Sequence, residues 1–251
     1  MSNPFSLEGR VALVTGANTG LGQGIAEALA AAGADIVAVG RTQPTETARA
    51  VEKTGRKFLS IEADLGSTEP VERIVKSARE KFGRLDILVN NAGIIRRNDA
   101  LDFSERDWDE VMNVNLKTVF FLAQACAGEM LKQGGGKIIN IASMLSFQGG
   151  VRVASYTASK SGIAGLTKLL ANEWGGKNIN VNAIAPGYFE TNNTEALRSD
   201  ENRNRDILAR IPAGRWGHPS DLGGAAVFLA SRASDYVHGT IIPVDGGWLA
   251  R

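Results

Sequence analysis

Val11-Ala12-Leu13-Val14-Thr15 runs directly into Gly16-Ala17-Asn18-Thr19-Gly20-Leu21-Gly22, after which Ile25, Leu29 and the surrounding alanines repeat at helical spacing. Five continuously apolar or β-branched residues read as a strand buried on both faces, the glycines as a loop, and the Ala-rich stretch as a helix packed back on the sheet. Such a turn lets bare backbone approach an anion at the positive end of a helix, where unpaired N–H groups and the macrodipole both favour a phosphate. The spacing is Gly-x-x-x-Gly-x-Gly rather than Gly-x-Gly-x-x-Gly. On its own it fits either a pyrophosphate cradle or a tight strand-to-helix turn.

Six further strand-length runs lie outward from this one: Asp35 to Val39, Lys57 to Ala63, Asp86 to Asn90, Lys137 to Ala142, Asn180 to Ala185 and Thr240 to Val244. Longer segments of helical period separate them. Continuously apolar strands alternating with helices predict an α/β fold, a doubly wound parallel sheet of seven strands with right-handed crossovers. With 251 residues, 43% of them hydrophobic, the chain has the length for a sizeable core. No repeat, low-complexity tract or Pro/Ser-rich linker divides it, so one domain over residues 1–251 is expected.

The 28 Lys and Arg nearly cancel the 27 Asp and Glu, giving a formal charge of +1. That excludes the basic excess that steers a protein to nucleic acid or anionic lipid, so neither is expected as a partner. Cys126 has no second cysteine to pair with, and with only His218 and His238 it makes no thiolate zinc site; no metal is expected. Met1 to Arg10 has no apolar signal core, and Glu27 and Asp35 interrupt the Ala-rich stretch from Ile25 to Val39. A cytoplasmic location is the expectation.

At the end of the second strand an acidic residue would ordinarily hydrogen-bond the ribose hydroxyls of a dinucleotide, yet the chain reads Val39-Gly40-Arg41-Thr42. A small residue followed by a planar donor fork leaves room for a 2′-phosphate and a partner for it, which favours NADP over NAD. The other reading of Arg41 is a solvated loop charge. Asp64-Leu65 ends the third strand, where the carboxylate suits an adenine edge or the cap of the next helix.

Ser155-Tyr156-Thr157-Ala158-Ser159-Lys160 opens an apolar helix and puts Tyr156 and Lys160 one turn apart on one face. A phenol of ordinary pKa near 10 is a poor acid-base group at neutral pH, and a neighbouring ammonium would stabilise its anion. Ser143, closing the strand Lys137 to Ala142, is placed to hydrogen-bond a carbonyl oxygen. Further on, the polar segment 188–210 follows Pro186-Gly187 at a strand end, as either a mobile lid or an ordinary surface helix.

Taken together, Thr15-Gly16-x-x-x-Gly20-x-Gly22, Asn90-Asn91-Ala92-Gly93, Asn115, Ser143, Tyr156-x-x-x-Lys160 and Pro186-Gly187 resemble the short-chain dehydrogenase/reductases, in that family's order from the first strand past the sixth. The resemblance implies a Rossmann-type sheet and four catalytic residues: Tyr156 as general acid-base, Lys160 binding the nicotinamide ribose and lowering the tyrosine pKa, Ser143 orienting the carbonyl, and Asn115 holding a relay water. It also implies that Gly16, Asn18, Thr19, Gly20, Leu21 and Gly22 cradle the dinucleotide. Arg41, Asp64 and Leu65 would hold its adenosine half, Asn91, Ala92 and Gly93 would line its cleft, and Pro186, Gly187, Phe189 and Thr191 would embrace the nicotinamide. Gly40-Arg41 matches the family's NADP-type pattern. Thr19, however, lacks the basic residue that many NADP-dependent members carry in the glycine loop, so NAD stays possible.

Stretches such as Ile95-Arg96-Arg97, Met144-Leu145-Ser146-Phe147-Gln148-Gly149-Gly150, Thr191-Asn192-Asn193-Thr194 and Trp248-Leu249-Ala250-Arg251 are similar to the branch of the family that acts on deoxyketo-sugar acids of uronate catabolism. Such a substrate needs a cation for its carboxylate and several hydroxyl partners. Arg96, Arg97, Gln148, Arg152 and Asn192 are the candidates, with Arg152, four residues before Tyr156, the first choice. Met144 and Trp216 fit either an apolar pocket wall or core packing. The same catalytic set also serves 3-oxoacyl carrier-protein reductases and sugar dehydrogenases, and a non-catalytic dinucleotide sensor is the alternative of another class. The resemblance further implies a homotetramer, with Trp248 to Arg251 packing across a subunit boundary; a frayed tail is the alternative.

Overall fold

The computed structural model describes residues 3–251. Its elements alternate as the hydrophobic pattern requires: β1 (Val11–Thr15), α1 (Gly20–Ala31), β2 (Asp35–Gly40), α2 (Thr45–Lys53), β3 (Phe58–Glu62), α3 (Val71–Phe82), β4 (Ile87–Asn90), α4 (Glu105–Met112), α5 (Thr118–Lys132), β5 (Gly136–Ile141), α6 (Ala154–Trp174), β6 (Ile179–Pro186), α7 (Glu195–Ser199), α8 (Glu201–Arg210), α9 (Gly223–Ala230) and β7 (Ile241–Val244). The strands form one seven-stranded sheet in the order β3-β2-β1-β4-β5-β6-β7. Every neighbouring pair is parallel. All seven expected strands are present with their ends shifted by a residue or so, and the doubly wound reading holds.

Strand alternation sends successive side chains to opposite faces, and each face builds its own core. Leu13, Val37, Leu88, Ile138 and Val181 pack with residues of α3 and α5. Ala12, Val14, Ile36, Val89 and Ile139 pack with residues of α1 and α9. Because both faces are covered, the strands need no polar face, which is why their sequence reads as continuous apolar runs.

At the N-terminal ends of the central strands the buried carboxylate of Asp86 accepts hydrogen bonds from Arg84 Nη2 at 2.6 Å, Arg84 Nε at 2.7 Å, Arg10 Nη1 at 2.8 Å and the Val11 N–H at 2.9 Å. Burial alone would raise its pKa, but these donors outweigh burial and hold it below the ordinary carboxylate value. The opposite, C-terminal edge carries the cleft. The strand order reverses direction between β1 and β4, and at such a switch point adjacent crossovers lie on opposite faces and leave a crevice.

Between α4 and α5 the backbone makes one π-helical turn, Asn113–Lys117, which carries the buried Asn115. Segment 188–210 is helical over α7 and α8 and also lines the cleft through Tyr188, Leu197, Arg203 and Arg210. The segment is thus built of surface helices that also line a cavity of about 890 Å³.

Candidate active site

The glycine loop takes the backbone conformation its sequence permits. Gly16 and Gly20 have φ of +66° and +57°, a region costly for residues bearing a Cβ. A Cβ on Gly22 would run into the Gly16 carbonyl oxygen and the Asn91 amide. The N-terminus of α1 has no side-chain cap and no acidic residue in its first turn, so its N–H groups and dipole face the cleft unanswered. That fits a pyrophosphate.

Thr15 Oγ1 accepts from the N–H groups of Asn91 at 3.0 Å and Ala92 at 2.9 Å, while Asn91 Nδ2 donates to Thr15 O at 2.9 Å. The Asn91 side chain therefore braces the loop, and Ala92 and Gly93 form the cleft wall beside it. Arg41 lies exposed on the wall at the end of β2 with no ion pair among the described residues. Asn18 Nδ2 donates to Thr42 Oγ1 at 2.7 Å and pins that corner. Asp64 and Leu65 line the same end, and Asp64 Oδ1 accepts from Gly66 N–H at 2.8 Å, a local turn rather than a helix cap. Thr191 reaches the glycine loop, its methyl 3.4 Å from where a Cβ on Gly20 would stand. Gly187 lines the cleft, whereas Pro186 ends β6 and Phe189 is buried in the core beside α1 and α9; neither lines the cavity.

The chemistry-bearing groups converge opposite this loop. Ser143 follows β5, its Oγ accepting from Leu145 N–H at 3.2 Å and lying in hydrogen-bonding reach of the Tyr156 phenol. Tyr156 sits in the first turn of α6, and Lys160, one turn on, is buried with Nζ 2.5 Å from Ile141 O and 5.6 Å from the Tyr156 ring centroid. Burial lowers the Lys160 pKa to about 8. Burial also raises the Tyr156 pKa, against the opposing pull of the Ser143 hydrogen bond and the Arg97 charge. The lowering expected from Lys160 is not found in the chain alone, because desolvation of the phenolate dominates. Asn115 grips the Ile94 backbone in both directions, Oδ1 accepting from its N–H and Nδ2 donating to its carbonyl, each at 2.9 Å. Nothing in the sequence pattern announces the π turn that places it there.

The arginine candidates separate by their partners. Arg152, the first choice from sequence, has φ of +62° and its Nε 3.1 Å from Asp99 Oδ1. Arg96 donates to Glu110 Oε2 at 2.8 and 3.1 Å and lies 3.5 Å from Asp107. Both line the cleft with their charge already answered. Arg97 makes only a long, 3.5 Å bond to Asn193 O, and its charge acts on Tyr156. Arg203 and Arg210, which spacing did not single out, line the cleft from α8. Among the described residues that line the cavity the single acidic side chain is Asp64, at the end of β3.

Met144, Gln148 and Asn192 also line this end, while Trp216 is buried against Tyr188, ring centroids 5.4 Å apart, as core packing. The C-terminal segment is ordered rather than frayed. Trp248 is 4% exposed within its own chain, against Met144 and Ile211 and on the cavity wall. Asp245 accepts from the N–H groups of Gly247 and Leu249, each at 2.9 Å, and folds the tail back, while Ala250 and Arg251 stay exposed.

Comparison with known proteins agrees with this geometry. The family model described as enoyl-(acyl carrier protein) reductase matches residues 16–249. The 2-dehydro-3-deoxy-D-gluconate 5-dehydrogenase of Escherichia coli K12 is 65% identical over 248 residues, 98% of each chain. The enzyme of the same name from Bacillus subtilis is 58% identical over 254 residues, covering 100% of this chain and 99% of that one. A solved structure from Agrobacterium tumefaciens, described as a candidate 2-deoxy-D-gluconate 3-dehydrogenase with bound NADP, superposes with a TM-score of 0.94 at 64% identity over 100% of both chains. With a parallel sheet of that order, a glycine loop opening α1 and a Ser143–Tyr156–Lys160 cluster beyond it, the chain belongs to the short-chain dehydrogenase/reductase family.

Proposed function

We propose that the protein is an oxidoreductase that moves a hydride reversibly between NADP(H) and a keto or hydroxyl group of a deoxyketo-sugar acid, as a 2-dehydro-3-deoxy-D-gluconate 5-dehydrogenase does. The observation that carries the substrate class is charge: among the described residues, Arg97, Arg203 and Arg210 line the chemistry end without ion pairs, and no carboxylate lines it. In a chain of formal charge +1, such a concentration of one sign marks an anionic ligand. A long acyl chain would instead call for an apolar wall.

When bound, the nicotinamide supplies or accepts the hydride. Ser143 holds the substrate oxygen, and Tyr156 passes its phenolic proton to that oxygen in reduction or, as phenolate, removes the hydroxyl proton in oxidation. Asn115 holds the Ile94 backbone in place through both ends of its side-chain amide. Since burial keeps the phenol protonated at neutral pH, reduction is favoured there and oxidation is favoured at alkaline pH. The proposal includes a single domain over 1–251 with 188–210 as its lid, a cytoplasmic location, and a homotetramer engaged in uronate catabolism. The partly exposed Trp108 of α4 and Phe121 of α5 support a subunit interface along those helices. No helix among the described residues is long and apolar enough to cross a membrane.

The test is initial-rate nicotinamide absorbance, with NADPH and NADH against 4-deoxy-5-ketouronate, 2,5-diketo-3-deoxygluconate and an acetoacetyl thioester, and with NADP+ and NAD+ against 2-keto-3-deoxygluconate and glucose. Turnover of a deoxyketo acid supports the proposal; turnover of the thioester or glucose alone overturns it. Arg97→Gln is expected to raise the KM of the acid about tenfold or more, the scale of a lost charge-assisted pair, with the NADPH KM unchanged.

Lys160 supplies a pH signature. Its pKa of about 8 in the chain alone means that the ammonium is lost as pH rises through about 8. A ribose contact that needs the ammonium raises that pKa, so binding takes up a proton. NADPH affinity is therefore expected to fall with pH above about 8, approaching tenfold per pH unit. Fluorescence titration between pH 7 and 9.5 checks it, with Lys160→Met abolishing the slope.

A further inference from the structure

The C-terminal turn reaches the far end of the substrate cavity by an unusual backbone path. Gly246 and Gly247 have φ of +65° and +90°, and a Cβ on either would press on Ile211 or Pro212 at the end of the lid. Arg251 Nη2 donates to Ala209 O of α8 at 2.6 Å, so tail and lid are fastened together. Trp248 lies between them, its ring 4.8 Å from Tyr188 and its face 4.1 Å from the Arg210 guanidinium carbon.

The indole Nε1–H donates to Gln148 Oε1 at 3.2 Å. An indole only donates, so the Gln148 amide must turn its oxygen toward Trp248 and its NH2 group away. That NH2 has no partner among the described residues, and Gln148 lines the cavity. The guanidinium of Arg210, lying on the ring face of the same tryptophan, lines the same cavity.

We propose that Trp248 is a positioning residue for the acidic end of the substrate: its indole N–H orients Gln148 as a donor while its ring face holds Arg210 beside it, so that two donors held by one side chain select an oxygen-acceptor group, a carboxylate, over a neutral one. The inference rests on the deoxyketo-acid reading above and deepens it. It assigns to the chain's own tail a role in specificity that no spacing rule reveals.

The experiment uses the full-length enzyme with NADP and compares 2-keto-3-deoxygluconate with its neutral C1 amide. Trp248→Phe keeps an aromatic face beneath Arg210 and removes the N–H together with the five-membered ring that carries it. It is expected to raise the KM of the acid about fivefold to tenfold, as for one hydrogen bond lost, with kcat within about twofold and the NADP KM unchanged. The preference for acid over amide is expected to fall by the same factor. Gln148→Met, which leaves the tail untouched, is expected to give a similar KM rise by itself. Once Gln148 is Met, Trp248→Phe adds less than about twofold, the non-additivity of residues acting through one another.

An unchanged acid KM in Trp248→Phe, equal KM rises for acid and amide, or fully additive effects of the two substitutions would each overturn the inference and leave the substrate class standing. A wild-type enzyme that turns over neither compound overturns both.

Discussion

Tyr156→Phe is expected to lower kcat by about a thousandfold or more, while NADPH binds within about threefold of the wild-type affinity. General acid-base catalysis accounts for roughly 10²- to 10⁴-fold in rate, and the proposed mechanism gives the proton transfer to Tyr156. Its environment supports the size of the effect. Ser143 beside the phenol opposes the rise that burial imposes on its pKa, and the neighbouring Lys160 spends one of its three N–H donors on Ile141 O at 2.5 Å. The ring remains in Phe, so the wall of the cleft and the first turn of α6 are undisturbed. Stopped-flow single turnovers with NADPH in excess separate chemistry from binding. A single-turnover rate within about tenfold of wild type would assign the proton transfer to another group.

Arg41→Asp is expected to shift the NADPH to NADH ratio of kcat/KM by about a hundredfold or more toward NADH. The side chain stands exposed at the end of β2 with no carboxylate partner, so its charge is uncommitted. Gly40 before it leaves open space, the nearest atom to an added Cβ being Asn18 Oδ1 at 3.6 Å. A guanidinium–phosphate contact contributes about 1.5–3 kcal/mol. An aspartate in the same position removes that contact, repels the 2′-phosphate and supplies an acceptor for ribose hydroxyls. Each 1.4 kcal/mol is tenfold, so loss and repulsion together reach two orders of magnitude. Initial rates with both nucleotides at a fixed keto acid concentration measure it. An unchanged ratio would mean that Arg41 is only a solvated loop charge, and that the phosphate is recognised elsewhere.

Much of this site was legible because its residues act through local sequence. Gly16, Gly20 and Gly22 announce a strand-to-helix turn by their spacing, although Asn91 and Ala92 are what close against it, and Tyr156 and Lys160 share a helix face by spacing alone. The substrate end was less legible. Arg96, Arg97 and Arg152 look alike as letters, and what separates them is whether Glu110, Asp107 or Asp99 has folded against them. A guanidinium beside a carboxylate is a structural group, and one without a carboxylate is a recognition group; only long-range packing decides which.

The amino-acid sequence by itself determined the alternation of seven apolar strands with helices, the glycine turn at the first crossover and the placing of Tyr156 and Lys160 one turn apart on one helix face. Periodicity and backbone sterics act over a few residues and can be read without the fold. Only the tertiary structure decided that Asn115 would be carried on a π turn and locked to Ile94, and that Phe189 would enter the core. It alone decided that Arg203, Arg210 and Trp248 would close the substrate end of the cleft. Those placements depend on contacts between segments far apart in the chain, such as the indole of Trp248 meeting the amide of Gln148. Their energies come from desolvation and pairing that exist only once the chain has folded.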